Sequence, residues 1–179
     1  MMTLTFTFWL FVALFAVIGT MRGWAKELLV TASAILSIFV LGVLERYVPP
    51  VRDFLALPNG APEFWMRTGV MVFLVFFGYQ TPNIQKIAGA KFAREKLSDS
   101  LLGLFLGAVN GFLIVGAIWY FMHQSGYPFP KYISAPTADN PMSAPALRLI
   151  PYLAPNWLGI PVIYFVVAVT FISILVIFI

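Results

Sequence analysis

The chain has 179 residues, of which 61% are hydrophobic and 10% are charged, with a net charge of +4 and no cysteine. A soluble domain carries about 25% charged residues, so the composition excludes an ordinary water-soluble fold. The lack of cysteine excludes disulfides, thiolate catalysis and cysteine-based metal sites. In so apolar a chain, the positive charge indicates contact with lipid headgroups rather than with nucleic acid.

Uncharged runs long enough to cross a bilayer recur along the sequence. A spanning helix needs about 20 mostly apolar residues. The runs cover residues 1–21, 28–44, 68–85, 100–130 and 149–179. They predict an all-α, multi-spanning transmembrane protein of about five helices. The first run has no basic n-region and no small-residue cleavage site, so we expect a retained helix rather than a removed signal peptide.

In chain order, the predicted helices are Thr3–Thr20, Glu27–Leu44, Phe64–Tyr79, Ser100–Met122 and Trp157–Ile179. The first two form an antiparallel hairpin because only a short charged turn separates them. The chain then divides into a four-helix membrane domain (1–122), a Pro-rich extramembrane loop (123–156) and a C-terminal transmembrane helix (157–179).

The segments between these helices are rich in helix-breaking residues. Residues 45–65 hold four prolines and predict a loop outside the bilayer, with a short interfacial piece at Val51–Leu57. Residues 123–157 are rich in proline, serine and alanine, which predicts an extended loop.

A basic amphipathic stretch separates the third and fourth helices. Pro82 ends helix three, and apolar residues then recur at helical spacing over residues 84–99. The basic residues of this stretch fall largely on other faces: Lys86, Lys91, Arg94 and Lys96. We expect the stretch to lie flat at the membrane surface, and a solvated linker is the alternative.

The turn 19-GTMRGWAKELL-29 places three charges between two apolar runs. Arg22 and Lys26 are predicted membrane anchors, Trp24 suits an interfacial aromatic belt, and Glu27 can pair with either cation. A cytoplasmic docking point for a partner is the alternative hypothesis for the three charges, and anchoring alone is favoured over it.

The density of Lys and Arg predicts an orientation. The short turn after helix one and the segment after helix three are the most basic, and both lie on one face. We therefore expect that face in the cytoplasm, the N-terminus outside and the C-terminus inside.

Small residues predict a close helix contact. Gly103, Gly107 and Gly111 are spaced by four, which makes a doubled GxxxG face on helix four. Gly19 and Gly23 repeat this spacing at the end of helix one. A contact within the chain is favoured over one between chains, such as a homo-oligomer.

Polar side chains inside the apolar runs are few. Asn110 needs a partner in lipid, and an interhelical hydrogen bond is favoured over a point in a transport path. His123 is favoured as a polar cap over a ligand of a haem or chlorophyll metal. No predicted helix carries a charge at its centre, which argues against a proton-coupled transporter.

The sequence shows no catalytic, phosphate-binding or metal-binding motif, so we expect neither an enzyme nor a resident cofactor. Bound lipid is expected, and a quinone or pigment contact is the alternative. Three functions follow in order of preference: a protein acting through helix packing and protein contacts, an accessory subunit of a respiratory or photosynthetic complex, and an export or transport component.

Two stretches together carry a family resemblance. In 22-RGWAKELLVTASAIL-36, Arg-Gly at the turn precedes an aromatic, a basic residue, an acid and an apolar run. In 98-SDSLLGLFLGAVNGFLIV-115, an Asp precedes Leu-Leu-Gly, a second Gly and a polar residue with Gly. The order and spacing, over about residues 3–122, resemble the colicin V production (CvpA) family, although Ser100 and Asn110 stand where that family often has basic residues.

The resemblance implies an inner-membrane protein of about four spanning helices, with a basic linker before the last. It also implies a link to toxin production or export, or to envelope homeostasis. The residues that carry over do so as structural positions: Arg22, Gly23, Gly103, Gly107 and Gly111.

Overall fold

The computed structural model describes residues 3–55, 60–80 and 96–178, and these ranges contain helices and no strand. The helices are α1 (Leu4–Arg22), α2 (Trp24–Tyr47), α3 (Pro49–Leu55), α4 (Gly60–Tyr79), α5 (Lys96–Gln124), α6 (Ala144–Leu149), α7 (Ala154–Trp157) and α8 (Val162–Phe178). The predicted all-α fold is confirmed.

Within the described ranges, three helices are long and apolar enough to cross a membrane: Leu4–Arg22, Trp24–Tyr47 and Leu97–Gln124. Val162–Ile177 is a shorter apolar helix. Together with the 20-residue α4, which is about 30 Å long at 1.5 Å per residue, these correspond to the five predicted helices. The protein is a multi-spanning helical membrane protein.

The hairpin between α1 and α2 is tighter than predicted. α1 continues to Arg22 and α2 begins at Trp24, so Gly23 alone separates them. Gly23 has a φ of 85°, which a residue with a Cβ adopts only at a cost in energy. Arg22 and Glu27 therefore lie in helical turns that face each other, rather than in a flexible loop.

The described residues between α2 and α4 are mostly helical, so the loop predicted over residues 45–65 is corrected where the structure describes it. α2 extends to Tyr47, and α3 follows at Pro49–Leu55, overlapping the predicted interfacial piece. Pro49 and Pro50 open α3, where a missing amide hydrogen costs no helical hydrogen bond.

The Pro-rich segment is also more folded than predicted. Instead of an extended loop it contains α6, α7 and two 3-10 turns, and each of these has a proline at its first or second position. Leu153 and Ala154 are fully buried. The predicted fifth helix begins later, at Val162, because Trp157 belongs to α7.

Most of the predicted basic amphipathic stretch lies outside the described residues, including Lys86, Lys91 and Arg94. Lys96 is the first residue of α5. This helix therefore begins one turn before Ser100, the predicted start.

α1 and α5 pack along a seam of glycines. A Cβ on Gly19 would overlap with the Gly103 carbonyl oxygen, and a Cβ on Gly107 would overlap with the Phe15 carbonyl oxygen. A Cβ on Gly111 would lie 2.9 Å from the Val12 Cα. The glycine face of α5 is thus filled by α1 of the same chain.

We expect Gly19→Ala to destabilise the protein by about 1–3 kcal/mol, because the added methyl must force the two backbones apart. Thermal unfolding in mild detergent measures this. Gly69→Ala on α4 is the control, since a Cβ at Gly69 meets nothing within 4 Å. Equal unfolding temperatures for the two variants would contradict the seam.

Candidate functional site

A fully buried carboxylate lies where the hairpin meets α5. Glu27 and Asn110 are both 0% exposed. Arg22 on α1, Thr31 on α2 and Tyr79 on α4 complete the group, called here the Glu27 cluster. Four helices therefore contribute to one buried polar site.

Each carboxylate oxygen of Glu27 accepts a hydrogen bond from a different helix. Arg22 Nη1 donates to Oε1 at 2.6 Å, and Asn110 Nδ2 donates to Oε2 at 2.7 Å. Asn110 Nδ2 also lies 3.0 Å from the Glu27 main-chain oxygen, and the Thr31 hydroxyl donates to Asn110 Oδ1 at 2.7 Å. The negative charge is thus both paired and hydrogen-bonded, which an ionised group away from water requires.

α4 joins the cluster through Arg22 and Tyr79. Arg22 Nη2 donates to the Tyr79 main-chain oxygen at 3.2 Å. The guanidinium carbon lies 4.3 Å from the centroid of the Tyr79 ring, a cation–π geometry. Arg22 therefore connects the end of α4 to the start of α2.

The structure assigns different roles to the charges of the hairpin. Glu27 pairs with Arg22, which is one of the two predicted pairings. Because Glu27 is fully buried, it cannot meet a partner at the surface, and the docking hypothesis is corrected for this residue. Lys26 and Trp24 remain partly exposed.

Asp99 on α5 contacts the hairpin, although it is far from the hairpin in the sequence. Trp24 N donates to Asp99 Oδ1 at 3.1 Å, so a carboxylate on α5 accepts from the first turn of α2, whose own N-cap, Gly23, has no side chain. A Cβ on Gly23 would lie 2.7 Å from Asp99 Oδ2. Asp99 lies within the second stretch of the family resemblance, where no role was predicted for it.

A second ionic group lies at the opposite ends of these helices. Arg67, 8% exposed, donates through Nε to Glu45 Oε1 at 2.7 Å and through Nη1 to Gln124 Oε1 at 2.8 Å. It also pairs with Glu63 one turn earlier on α4. These four residues are called here the Arg67 cluster.

The Arg67 cluster was not among the sites predicted from the sequence. The spacing of Glu63 and Arg67, four residues apart on one helix, was the available local signal. The contribution of Glu45 from α2 had no such signal. Glu27 and Glu45 lie roughly 27 Å apart along α2 at 1.5 Å per residue, close to the thickness of a bilayer core of about 30 Å.

His123 belongs to neither cluster, although it precedes Gln124 in the sequence. It is exposed, and its ring packs edge-on to Tyr127 with centroids 5.8 Å apart. In residues 3–55, 60–80 and 96–178, no group of three His, Asp or Glu side chains could hold a metal ion. The polar-cap role of His123 stays a prediction, and ligation of a haem or chlorophyll metal stays its less favoured alternative.

We expect Glu27→Gln to destabilise the protein by about 1–3 kcal/mol, because it leaves the Arg22 charge without its counter-ion. The loss stays below the 3–5 kcal/mol of a fully buried pair because the Arg22 side chain is 20% exposed and reaches solvent. Thermal unfolding in detergent measures this.

Asp53→Asn is the matched control for Glu27→Gln. Asp53 lies 3.9 Å from Arg52, and both side chains are well exposed, so this pair contributes about 0–1 kcal/mol. If Asp53→Asn and Glu27→Gln lowered stability equally, the Glu27 cluster would not be the stabilising element described here.

Comparison with known proteins identifies a family. The model of the colicin V production protein family matches residues 4–147. No curated protein and no solved structure matches the chain. The family match extends past the resemblance over residues 3–122 into the Pro-rich segment and ends before α7 and α8. Because it covers most of the sequence, the chain belongs to the colicin V production protein family.

Proposed function

We propose that the protein is a non-catalytic component of the bacterial inner membrane that acts through contacts with other membrane proteins. The observation that carries this is the use of its buried charges: Glu27 and Arg67 are each bound by side chains from other helices. Charged groups held in this way stabilise a helix arrangement, and they have few hydrogen-bonding positions left with which to bind or activate a substrate. The family gives the biological direction, toxin production or export, or envelope homeostasis.

Two other functions are alternatives to this proposal. An accessory subunit of a larger respiratory or photosynthetic complex would use the same helix packing. The observation in favour of an export or transport component is the buried Glu27, because ionisable residues inside membrane proteins often mark a transport path. Glu27 is paired with Arg22, however, and this pairing favours a structural role for Glu27 over a transport role.

The orientation belongs to this proposal. The denser Lys and Arg segments face the cytoplasm, which places the α1–α2 hairpin inside and the Pro-rich segment outside. The antiparallel arrangement of α4 and α2 places the end of α4 at the same level as the α1–α2 hairpin, since Arg67 contacts Glu45 near one end and a Cβ on Gly78 would overlap with Ser33 near the other.

Cysteine labelling tests the orientation. The chain has no cysteine, so one introduced thiol is the sole reporter. We expect Tyr132→Cys to react in intact cells with a maleimide that does not cross the inner membrane, and Met21→Cys to react only after permeabilisation. Both positions are more than four-fifths exposed, at 87% and 83%. The reverse labelling pattern would invert the orientation.

Purification from native membranes in mild detergent, through a C-terminal tag, tests the partner contact. We expect a membrane protein to co-purify in fixed stoichiometry with the wild type. Lys26→Gln should reduce its yield, because Lys26 is the hairpin cation outside the Glu27 cluster. Lys131→Gln, an exposed lysine on the Pro-rich segment, is the control.

A chain that runs alone, or only with copies of itself, would contradict the proposed partner contact. Several stoichiometric subunits with pigment or haem absorbance would favour the accessory-subunit function instead. Equal yields from Lys26→Gln and Lys131→Gln would remove the hairpin from the contact.

A further inference from the structure

A cavity of about 400 Å³ lies beside the Arg67 cluster, between α2, α5 and the segment that enters α8. Its size is within the range of small-molecule sites, about 300–1,000 Å³. Its apolar lining includes Leu41, Ile38 and Ile163.

The cavity is polar at one end and apolar at the other. Glu45, Arg46 and Gln124 line the polar end, and all three lie in the last turns of α2 and α5. Ile38 lies roughly 10 Å back along α2, and Ile163 on α8 lines the cavity as well. In a membrane protein, this gradient runs from the headgroup level toward the hydrocarbon.

Two residues of opposite charge, Glu45 and Arg46, line the polar end. Arg46 is exposed, and no described carboxylate lies within ion-pair distance of it. Its guanidinium is 5.8 Å from the Tyr47 ring. Glu45 accepts hydrogen bonds from Arg67 with both carboxylate oxygens, from Nε at 2.7 Å and from Nη2 at 3.3 Å, and its side chain is still 32% exposed. The site thus offers a cation suited to a phosphate and, on the preceding residue, an acceptor for an ammonium group.

We propose that this cavity binds one phospholipid with an ethanolamine headgroup. The phosphate binds Arg46, the ammonium group binds Glu45, and an acyl chain lies along Leu41, Ile38 and Ile163. A zwitterionic headgroup matches the paired charges better than a glycerol headgroup, which brings only the phosphate charge. This inference does not depend on the proposed partner contact.

Native mass spectrometry of delipidated protein tests the headgroup. The probes are phosphatidylethanolamine and phosphatidylglycerol of the same acyl composition. We expect one tightly bound phosphatidylethanolamine, and about tenfold weaker binding in Arg46→Gln, which loses a charge-assisted hydrogen bond. Arg52→Gln is the control, because Arg52 is an exposed arginine on α3 outside the cavity lining.

A second pair of variants tests the apolar end. Gly42 lines the cavity, and a Cβ there would meet only Ile160 Cδ1, at 3.9 Å. We expect Gly42→Leu to fill the cavity and to abolish the bound lipid without unfolding the protein. Gly69→Leu adds the same side chain to the exposed face of α4 and should leave binding unchanged.

Binding that is equal for the two lipids would overturn the proposal. So would a Gly42→Leu variant that retains phosphatidylethanolamine as tightly as Gly69→Leu does. Co-purification of a partner protein is unaffected by either result, so the two proposals fail separately.

Discussion

The buried carboxylate of Glu27 constrains most of this structure. An ionised group removed from water is tolerated only when it is paired and hydrogen-bonded, and its partners come from other helices. Arg22 arrives from α1 and Asn110 from α5, while Arg22 also binds the last residue of α4. Any arrangement that separates these helices leaves the Glu27 charge in an apolar environment without its partners.

The glycine seam between α1 and α5 allows the close helix contact that this arrangement requires. Gly19 lies one turn before Arg22, and its backbone rests against Gly103 and Gly107. Because α1 and α5 come this close, Arg22 and Asn110 can both reach Glu27. Lipid tails are as apolar as leucine, so close packing and interhelical hydrogen bonds supply the association that water would otherwise drive. The seam and the Glu27 cluster therefore act together.

The Arg67 cluster holds the other ends of α2, α4 and α5, and the cavity opens beside it. The two clusters use the inner faces of the helices and leave the outer faces of α4 and α8 free for lipid or protein. Phe73 and Phe76 on α4, and Phe165 on α8, are all more than half exposed. Such faces are ordinary in a bilayer and fit a protein that works among other membrane components.

The sequence by itself determined the helical membrane class, the approximate helices, the glycine face and the family. Each depends on composition or on short-range spacing, which a linear chain displays directly. Only the tertiary structure decided that α1 fills the glycine face, that Glu27 is buried with Asn110, and that Glu45 meets Arg67. These contacts join residues far apart in sequence, and their partners are set by how helices pack. The short helices α6 and α7 were not predicted for a different reason. Proline marks a break in a helix but also fits the first turn of one, so the sequence alone did not distinguish the two.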